Sequence, residues 1–319
     1  MGFRQHLVRR TATLLAVLVA VTGLSFLLTS LLPGDPTTAL LGTNATAENV
    51  AALRDQLDLD DPMPVRYVKW LGNLVQGDMG RSYASGEEVS TAIRRNLPVT
   101  FELLLLSQVV ALGGAIPLAV LSARRPDGIV DRLTTSLSFG LISIPYFMLA
   151  VLMVFLFAER LGWFPATGYT PFTEDPVANL RGMALPAFSL GLAEMAAYTR
   201  LLRTDMIATL QEDYITMAKA KGLSPLYILM RHAFRPSTFS LVTVAGLNVG
   251  RLIGGTFIVE YIFAVPGLGQ LALNGIFSRE YLVVQGTVVV VAVGYVLVNF
   301  VVDILYSILD PRTRARAIA

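Results

Sequence analysis

Few side chains in this sequence combine an ionisable type with a setting that demands a partner, and Glu194 and Arg251 are the clearest two. Each lies inside a long apolar run, where a charge is costly unless it meets a counter-ion or water. At about 1.5 Å per helical residue, Glu194 sits about 15 Å and Arg251 about 16 Å from the outer ends of their runs. The depths match. A mutual ion pair holding two helices together is the first account of them. A polar lining to a pathway is the second, and a snorkelling arginine with Glu194 in a wet cavity is the third. Glu102, Glu260 and Asp303 fall near run ends, where exposure at an interface explains them.

Other chemistries find no support in the residues. The two histidines, His6 and His232, stand outside any His-Glu-x-x-His pattern, and with no cysteine there is neither a thiolate metal site nor a disulfide. No metal is expected. A phosphate-cradling P-loop needs a glycine-rich turn closed by Gly-Lys-Ser/Thr, and no such run exists, so this chain binds no ATP by that route. His232 reads as a docking or packing residue. The glycine pairs Gly113/Gly114 and Gly254/Gly255 lie in apolar runs, where small residues let helices approach closely.

Residues 205–236 form a polar interruption that nevertheless carries helical apolar spacing. Met206, Ile207, Leu210, Tyr214 and Met217 recur at intervals that place them on one stripe. Gly222 ends that helix. Ser224 and Pro225 start another, because a serine oxygen can take the free amides of a first turn and proline suits the first helical position. The second helix has Leu226, Leu229, Met230, Ala233 and Phe234 on one face, with Tyr227, Arg231 and Arg235 largely on another. A helix-turn-helix of this kind at a membrane surface is a docking device; the alternative is a surface loop that happens to be amphipathic.

Composition supplies the setting. With 54% hydrophobic and 15% charged residues and a mean hydropathy of +0.61, 319 residues are too apolar for an ordinary water-soluble globule. Six windows, 11–32, 99–121, 134–158, 184–204, 238–262 and 284–308, are long enough to cross about 30 Å of hydrocarbon. Six crossings put both termini on one side. Arg4, Arg9 and Arg10, then Arg124, Arg125 and Arg132, then Lys219, Lys221, Arg231 and Arg235, then Arg312, Arg314 and Arg316 all fall on that side, which is therefore cytoplasmic. The 33–98 segment, with six basic against nine acidic residues, is outside. Topology explains the basic clusters, so no nucleic-acid partner is expected. The 11–32 run is read as a retained span, being long for a signal core and lacking a small-x-small cleavage site before Pro33.

The spans and their short loops make one integral unit, with residues 1–98 (tail, first span and outer segment) preceding a five-span core at 99–319 that contains 205–236. The outer segment opens with turn chemistry at Pro33, Gly34, Asp35 and Pro36. A helix at 64–75 with Tyr67, Leu71 and Leu74 on one side and Trp70 beside them is expected to rest on the interface or cap the bundle. Gly77, Asp78 and Gly80 then mark a turn.

Three stretches carry a resemblance. DYITMAKAKGLSPLYILMRHAFRP at 213–236 resembles the cytoplasmic EAA loop of ABC importer permeases. GTFIVEYIFAVPGLGQLALNGIFSREYLVVQG at 255–286 is similar to the signature that follows that loop in the peptide, oligopeptide and nickel branch. GDMGRSYASGEEVSTAIRRNLPVTFEL at 77–103 resembles the outer segment of the first, B-type permease of that branch. The loop's Glu-Ala-Ala falls on Thr216, Met217 and Ala218, so its glutamate and first alanine are missing here.

The resemblance implies an all-α type I permease fold of six transmembrane helices in a bacterial cytoplasmic (inner) membrane. It implies a non-catalytic subunit that imports di- or oligopeptides, or as branch alternatives nickel chelates, haem, glutathione or short sugars. The implied partners are a homologous C-type permease, two cytoplasmic ATPases holding ATP and Mg, and an extracytoplasmic binding protein. No cofactor is bound by this chain. Docking residues are implied at Asp213, Tyr214, Ala218, Lys219, Ala220, Lys221, Gly222, Leu223, Ser224, Tyr227, Arg231 and His232, and family signature positions at Glu260, Pro266, Gly267 and Gly269. A secondary transporter coupled through Glu194 and Arg251, or a membrane scaffold that recruits a partner, are the readings of other classes.

Overall fold

The computed structural model describes residues 3–30, 37, 46–56 and 59–309; the basic cluster at Arg312, Arg314 and Arg316 lies outside these, as do the expected turn at 33–36 and the side chains of His6 and Asp303. Among the described residues the regular structure is all helical, with one isolated bridge between Arg81 and Glu88. The helices are α1 (Phe3–Ser30), α2 (Ala47–Gln56), α3 (Met63–Val75), α4 (Val89–Arg124) and α5 (Ile129–Ser143). After them come α6 (Tyr146–Arg160), α7 (Pro176–Leu210), α8 (Asp213–Ala220), α9 (Pro225–Ile262), α10 (Leu268–Phe277) and α11 (Tyr281–Leu309).

Every expected window holds helix, but the windows differ in quality. By length and apolarity α4, α9 and the Tyr281–Val302 part of α11 qualify as single spans. The α5–α6 pair adds a fourth if counted together. Helix α7 covers 184–204 yet carries Glu194, Arg200 and Arg203. The third window is not a straight helix: α5 and α6 are bent by 104°. Pro145 causes it, because proline drives the preceding residue out of the helical region, and Ile144 is extended at φ −94, ψ 124.

Contacts divide the chain into two compact units, with boundaries inside α4 and α11. The first comprises residues to Val99 together with Pro266–Val296. There α3 lays Trp70 against Phe26 and Val289, the Tyr67 ring meets Phe26 edge-on at 5.5 Å, and the Tyr67 and Thr22 hydroxyls lie 3.0 Å apart. The aromatic helix is thus a cap on α1. Gly77 and Gly80 both take positive φ, and the Gly80 amide donates to Asp78 Oδ1 at 2.8 Å, which closes the turn read from those residues.

The second unit comprises Thr100–Val265 with the part of α11 that starts at Leu297. Its core is organised by Ala111, Ala115, Ala119 and Ala123, a four-residue repeat on α4 in which every member is buried. Against that flat stripe pack Tyr198, Leu202 and Met206 of α7 with Leu229, Ala233, Leu241 and Ala245 of α9. Small side chains let the backbones come close, as at Gly191, where a Cβ would stand 2.8 Å from the Ser107 carbonyl. Close packing holds for Gly114, which abuts Met195, and Gly255, near the Tyr146 ring. It does not hold for Gly113 or Gly254, which have open space beside them.

Candidate functional site

The 213–236 segment is a helical hairpin whose turn is specified by local chemistry. Helix α8 ends in a Schellman motif: the Gly222 amide donates to Lys219 O at 3.0 Å and the Leu223 amide to Ala218 O at 3.3 Å. This arrangement needs a left-handed residue, and Gly222 has φ +76. Ser224 then caps α9, its Oγ accepting from the Tyr227 amide at 3.4 Å, with Pro225 in the first turn. Helix α9 does not stop at 236. It passes through a π-helical stretch, Ile228–Phe234, and continues unbroken into the apolar span.

Met206, Leu229 and Ala233 are buried as the expected stripes require, with Ile207, Leu210 and Phe234 packed against them, but the stripe slips by one residue in α8 and fails at two positions of α9. Ile215, Ala218 and Ile228 form the hairpin core with Leu210, while Tyr214, Met217, Leu226 and Met230 are exposed. The break at Gln211 and Glu212 resets the phase between α7 and α8, and the π stretch shifts it in α9. Asp213, Lys219, Ala220, Lys221, Gly222, Leu223, Ser224, Tyr227 and Arg231 are exposed too; Ala218 is buried and His232 half-buried. Tyr227 meets the His232 ring edge-on at 5.6 Å, and the Tyr214 hydroxyl donates to the His232 carbonyl at 3.1 Å. Met217, Leu223, Leu226 and Met230 thus project from a hairpin whose own core is complete without them.

Glu194 is the other focus. It is 1% exposed and accepts from the Tyr146 hydroxyl at 2.7 Å, from Asn248 Nδ2 at 2.6 Å and from Arg251 Nη2 at 2.7 Å. Tyr146 comes from α6, Asn248 and Arg251 from α9, so three helices meet at one carboxylate. The sequence reading brought Glu194 and Arg251 together by depth but missed both neutral donors. Asn248, three residues before Arg251 in an apolar run, was a signal available for the taking. A further ion pair was also missed: Asp131 of α5 takes the Arg203 guanidinium of α7 through both oxygens.

The signature region corrects one expectation. Glu260 is not explained by interface exposure: it is fully buried and accepts from the Thr100 hydroxyl at 2.7 Å. Just beyond it α9 closes in another Schellman turn, with Ala264 left-handed at φ 51 and the Val265 amide on Glu260 O at 2.9 Å. Pro266 is half-buried, and Gly267 and Gly269 are buried at the start of α10. At the far end of α10, the buried Glu280 carboxylate takes the amides of Tyr83 and Ala84 at 3.0 and 2.6 Å, pinning the 77–88 turn. Burial and the nearby Glu280 charge push the Tyr83 phenol up, so it stays protonated.

Residues 115–315 match the model of the family described as binding-protein-dependent transport system inner membrane component, and residues 3–104 match that of its N-terminal membrane component. A protein of Brucella abortus named as a peptide transport system permease is 41% identical over 97% of this chain and 98% of its own. The oligopeptide transport system permease protein AppB of Bacillus subtilis is 39% identical over 96% of this chain and 98% of its own. Among solved structures, a chain of the MetNI methionine ABC transporter in an inward facing conformation superposes with a TM-score of 0.56 at 19% identity, covering 69% of this chain and 96% of that one.

Proposed function

Because the chain belongs to the binding-protein-dependent transport system inner membrane component family, as a permease of its peptide branch, we propose that it is one of two permeases that together form the path of an ATP-driven peptide importer. The second is a homologous C-type permease. Two cytoplasmic ATPases that hold ATP and Mg dock on the 213–236 hairpin, and an extracytoplasmic binding protein delivers a di- or oligopeptide. The chain lies in the bacterial cytoplasmic membrane with both termini inside.

The observation that carries this reading is the exposed apolar face of Met217, Leu223, Leu226 and Met230, flanked by Lys219, Lys221 and Arg231. An apolar face rimmed by charge is what a partner's groove covers. Closure of the ATPases moves the hairpin, and α9 carries the movement into the membrane, changing the side to which the path opens. The substrate class rests on the relatives' names. The test is uptake of labelled peptide into vesicles holding the whole complex, with ATP inside. Accumulation that needs an ion gradient and no ATPase would overturn the proposal in favour of a secondary transporter.

A further inference from the structure

Within the apolar part of α9, Arg251 is the charged side chain that the fold leaves open. Its side chain is 62% exposed, against 1% for its partner Glu194. Among the described residues its only hydrogen bond is the one from Nη2 to Glu194, which leaves Nε and Nη1 free to donate. Glu194 does not depend on it, since Tyr146 and Asn248 already supply one donor to each carboxylate oxygen. Leu247, Arg251, Gly254 and Ile258 follow one another at helical spacing on the same exposed face, and a Cβ at Gly254 would meet nothing within 4 Å.

Hydrocarbon is a costly neighbour for the charge on that face. A guanidinium near the middle of a span faces water or another polar group. We propose that Arg251 lines the translocation path and receives the carboxylate of a passing peptide, a step that rests on the transporter reading above. Its planar fork suits a carboxylate, and the two unused donors lie on the open side. Glu194, fixed beside it, offsets the positive charge. A substrate is therefore met but not trapped, as passage requires a contact weak enough to release.

The experiment compares uptake of one peptide without acidic side chains, as its free acid and as its C-terminal amide. It uses vesicles holding the complete complex at saturating binding protein. The ratio of the two rates is measured for wild type, Arg251→Gln and Arg251→Lys, so that any preference of the binding protein cancels between variants. The free-acid to amide ratio should fall about five- to tenfold in Arg251→Gln, the scale of one lost hydrogen bond, and be partly retained in Arg251→Lys. A ratio equal to wild type in Arg251→Gln overturns the proposal, whether the absolute rates hold or drop. If uptake in that variant is too low to measure, the ratio in Arg251→Lys decides on the same terms. Separation of the two permeases on size exclusion in Arg251→Gln would make the residue an interface contact and overturn it as well. Wild-type vesicles that take up neither peptide with ATP would instead sink the transporter reading itself.

Discussion

The Tyr214 hydroxyl donates at 3.1 Å to the carbonyl of His232, and that carbonyl is the one from which Pro236 withholds a helical donor. In an α-helix the amide of residue 236 would bond to the oxygen of residue 232, but proline has no N–H and its ring crowds that oxygen. The chain answers with a π stretch from Ile228 to Phe234 and with a donor borrowed from α8. Gly222 joins the two helices at one end, and Tyr214 ties them at the other. The hairpin is therefore tied at both ends. Helix α9 then runs on to Asn248 and Arg251, so a push on the hairpin reaches the Glu194 network without crossing a joint.

Tyr214→Phe removes the tie while keeping the ring against His232. The expected thermal cost is small, about 1 kcal/mol for one half-exposed hydrogen bond. The functional cost should be larger: with the hairpin free to splay, binding-protein stimulation of ATP hydrolysis and peptide uptake should fall together by several-fold while the complex stays assembled. Wild-type stimulation in this variant would show that the bond carries no force.

A side chain at position 222 would meet nothing of this chain within 4 Å of its Cβ, so within the chain the effect of substituting Gly222 comes from φ +76. Gly222→Val should cost about 1–3 kcal/mol in local strain and distort the turn. Gly222→Asn, which tolerates the left-handed region, should behave much closer to wild type. The readout is ATP hydrolysis and uptake in the same vesicles. Equal damage from both substitutions would argue against a backbone origin.

These two residues show where the sequence was readable and where it was not. The turn at Gly222, Ser224 and Pro225 was legible because its causes are local: a left-handed position, a cap and a fixed φ. Met206, Leu229 and Ala233 fell where periodicity put them, but the stripe was misplaced at Tyr214, Met217, Leu226 and Met230 because a two-residue break and a π stretch reset the helical phase, and periodicity cannot see either. Glu194 and Arg251 were matched by depth, since helical rise is constant, but Tyr146 reaches the carboxylate only because α5 and α6 bend by 104° at Pro145. A hydropathy window averages across that proline. Glu260 was misread for a similar reason, because closeness to a span end says nothing about the Thr100 hydroxyl that burial brings to it.

Within the Glu194 network the neutral donor should matter more for stability than the charged one. Asn248→Leu leaves Oε2 buried without its donor, which costs about 1–3 kcal/mol, whereas Arg251→Gln leaves both oxygens supplied. Thermal denaturation of the detergent-solubilised complex should rank Asn248→Leu well below Arg251→Gln. The reverse order would mean that the ion pair, not the hydrogen bonds, holds these helices together.

The alanine stripe on α4 has no room to grow. Ala115 is fully buried between α7 and α9, so Ala115→Leu must push a backbone aside at a cost of about 1–3 kcal/mol or more. Membrane accumulation of the variant should drop, and Ala115→Gly, which keeps the close approach, should be far milder. Leu112→Ala, one turn away and only partly buried, serves as the control for simple loss of apolar surface. If Ala115→Leu accumulates as well as that control, the stripe does not set the helix spacing.

Orientation is the assumption beneath the proposed docking, and the absence of cysteine makes it directly testable. Ser85 lies exposed in the turn between α3 and α4, and Lys221 lies exposed at the end of α8. Ser85 lies in the segment where acidic residues outnumber basic ones, whereas Lys221 belongs to a basic cluster, which the positive-inside rule assigns to the cytoplasm. Ser85→Cys should therefore react with an impermeant maleimide added to sealed cells, and Lys221→Cys only after the membrane is opened. Lys221 caps α8 through its backbone alone, and Ser85 gives up only an exposed hydrogen bond from the Glu87 amide, so a failure to label is not a failure to fold. Labelling of both from outside would place the hairpin on the wrong side for any cytoplasmic ATPase, and the docking role of Met217, Leu223, Leu226 and Met230 would fall with it.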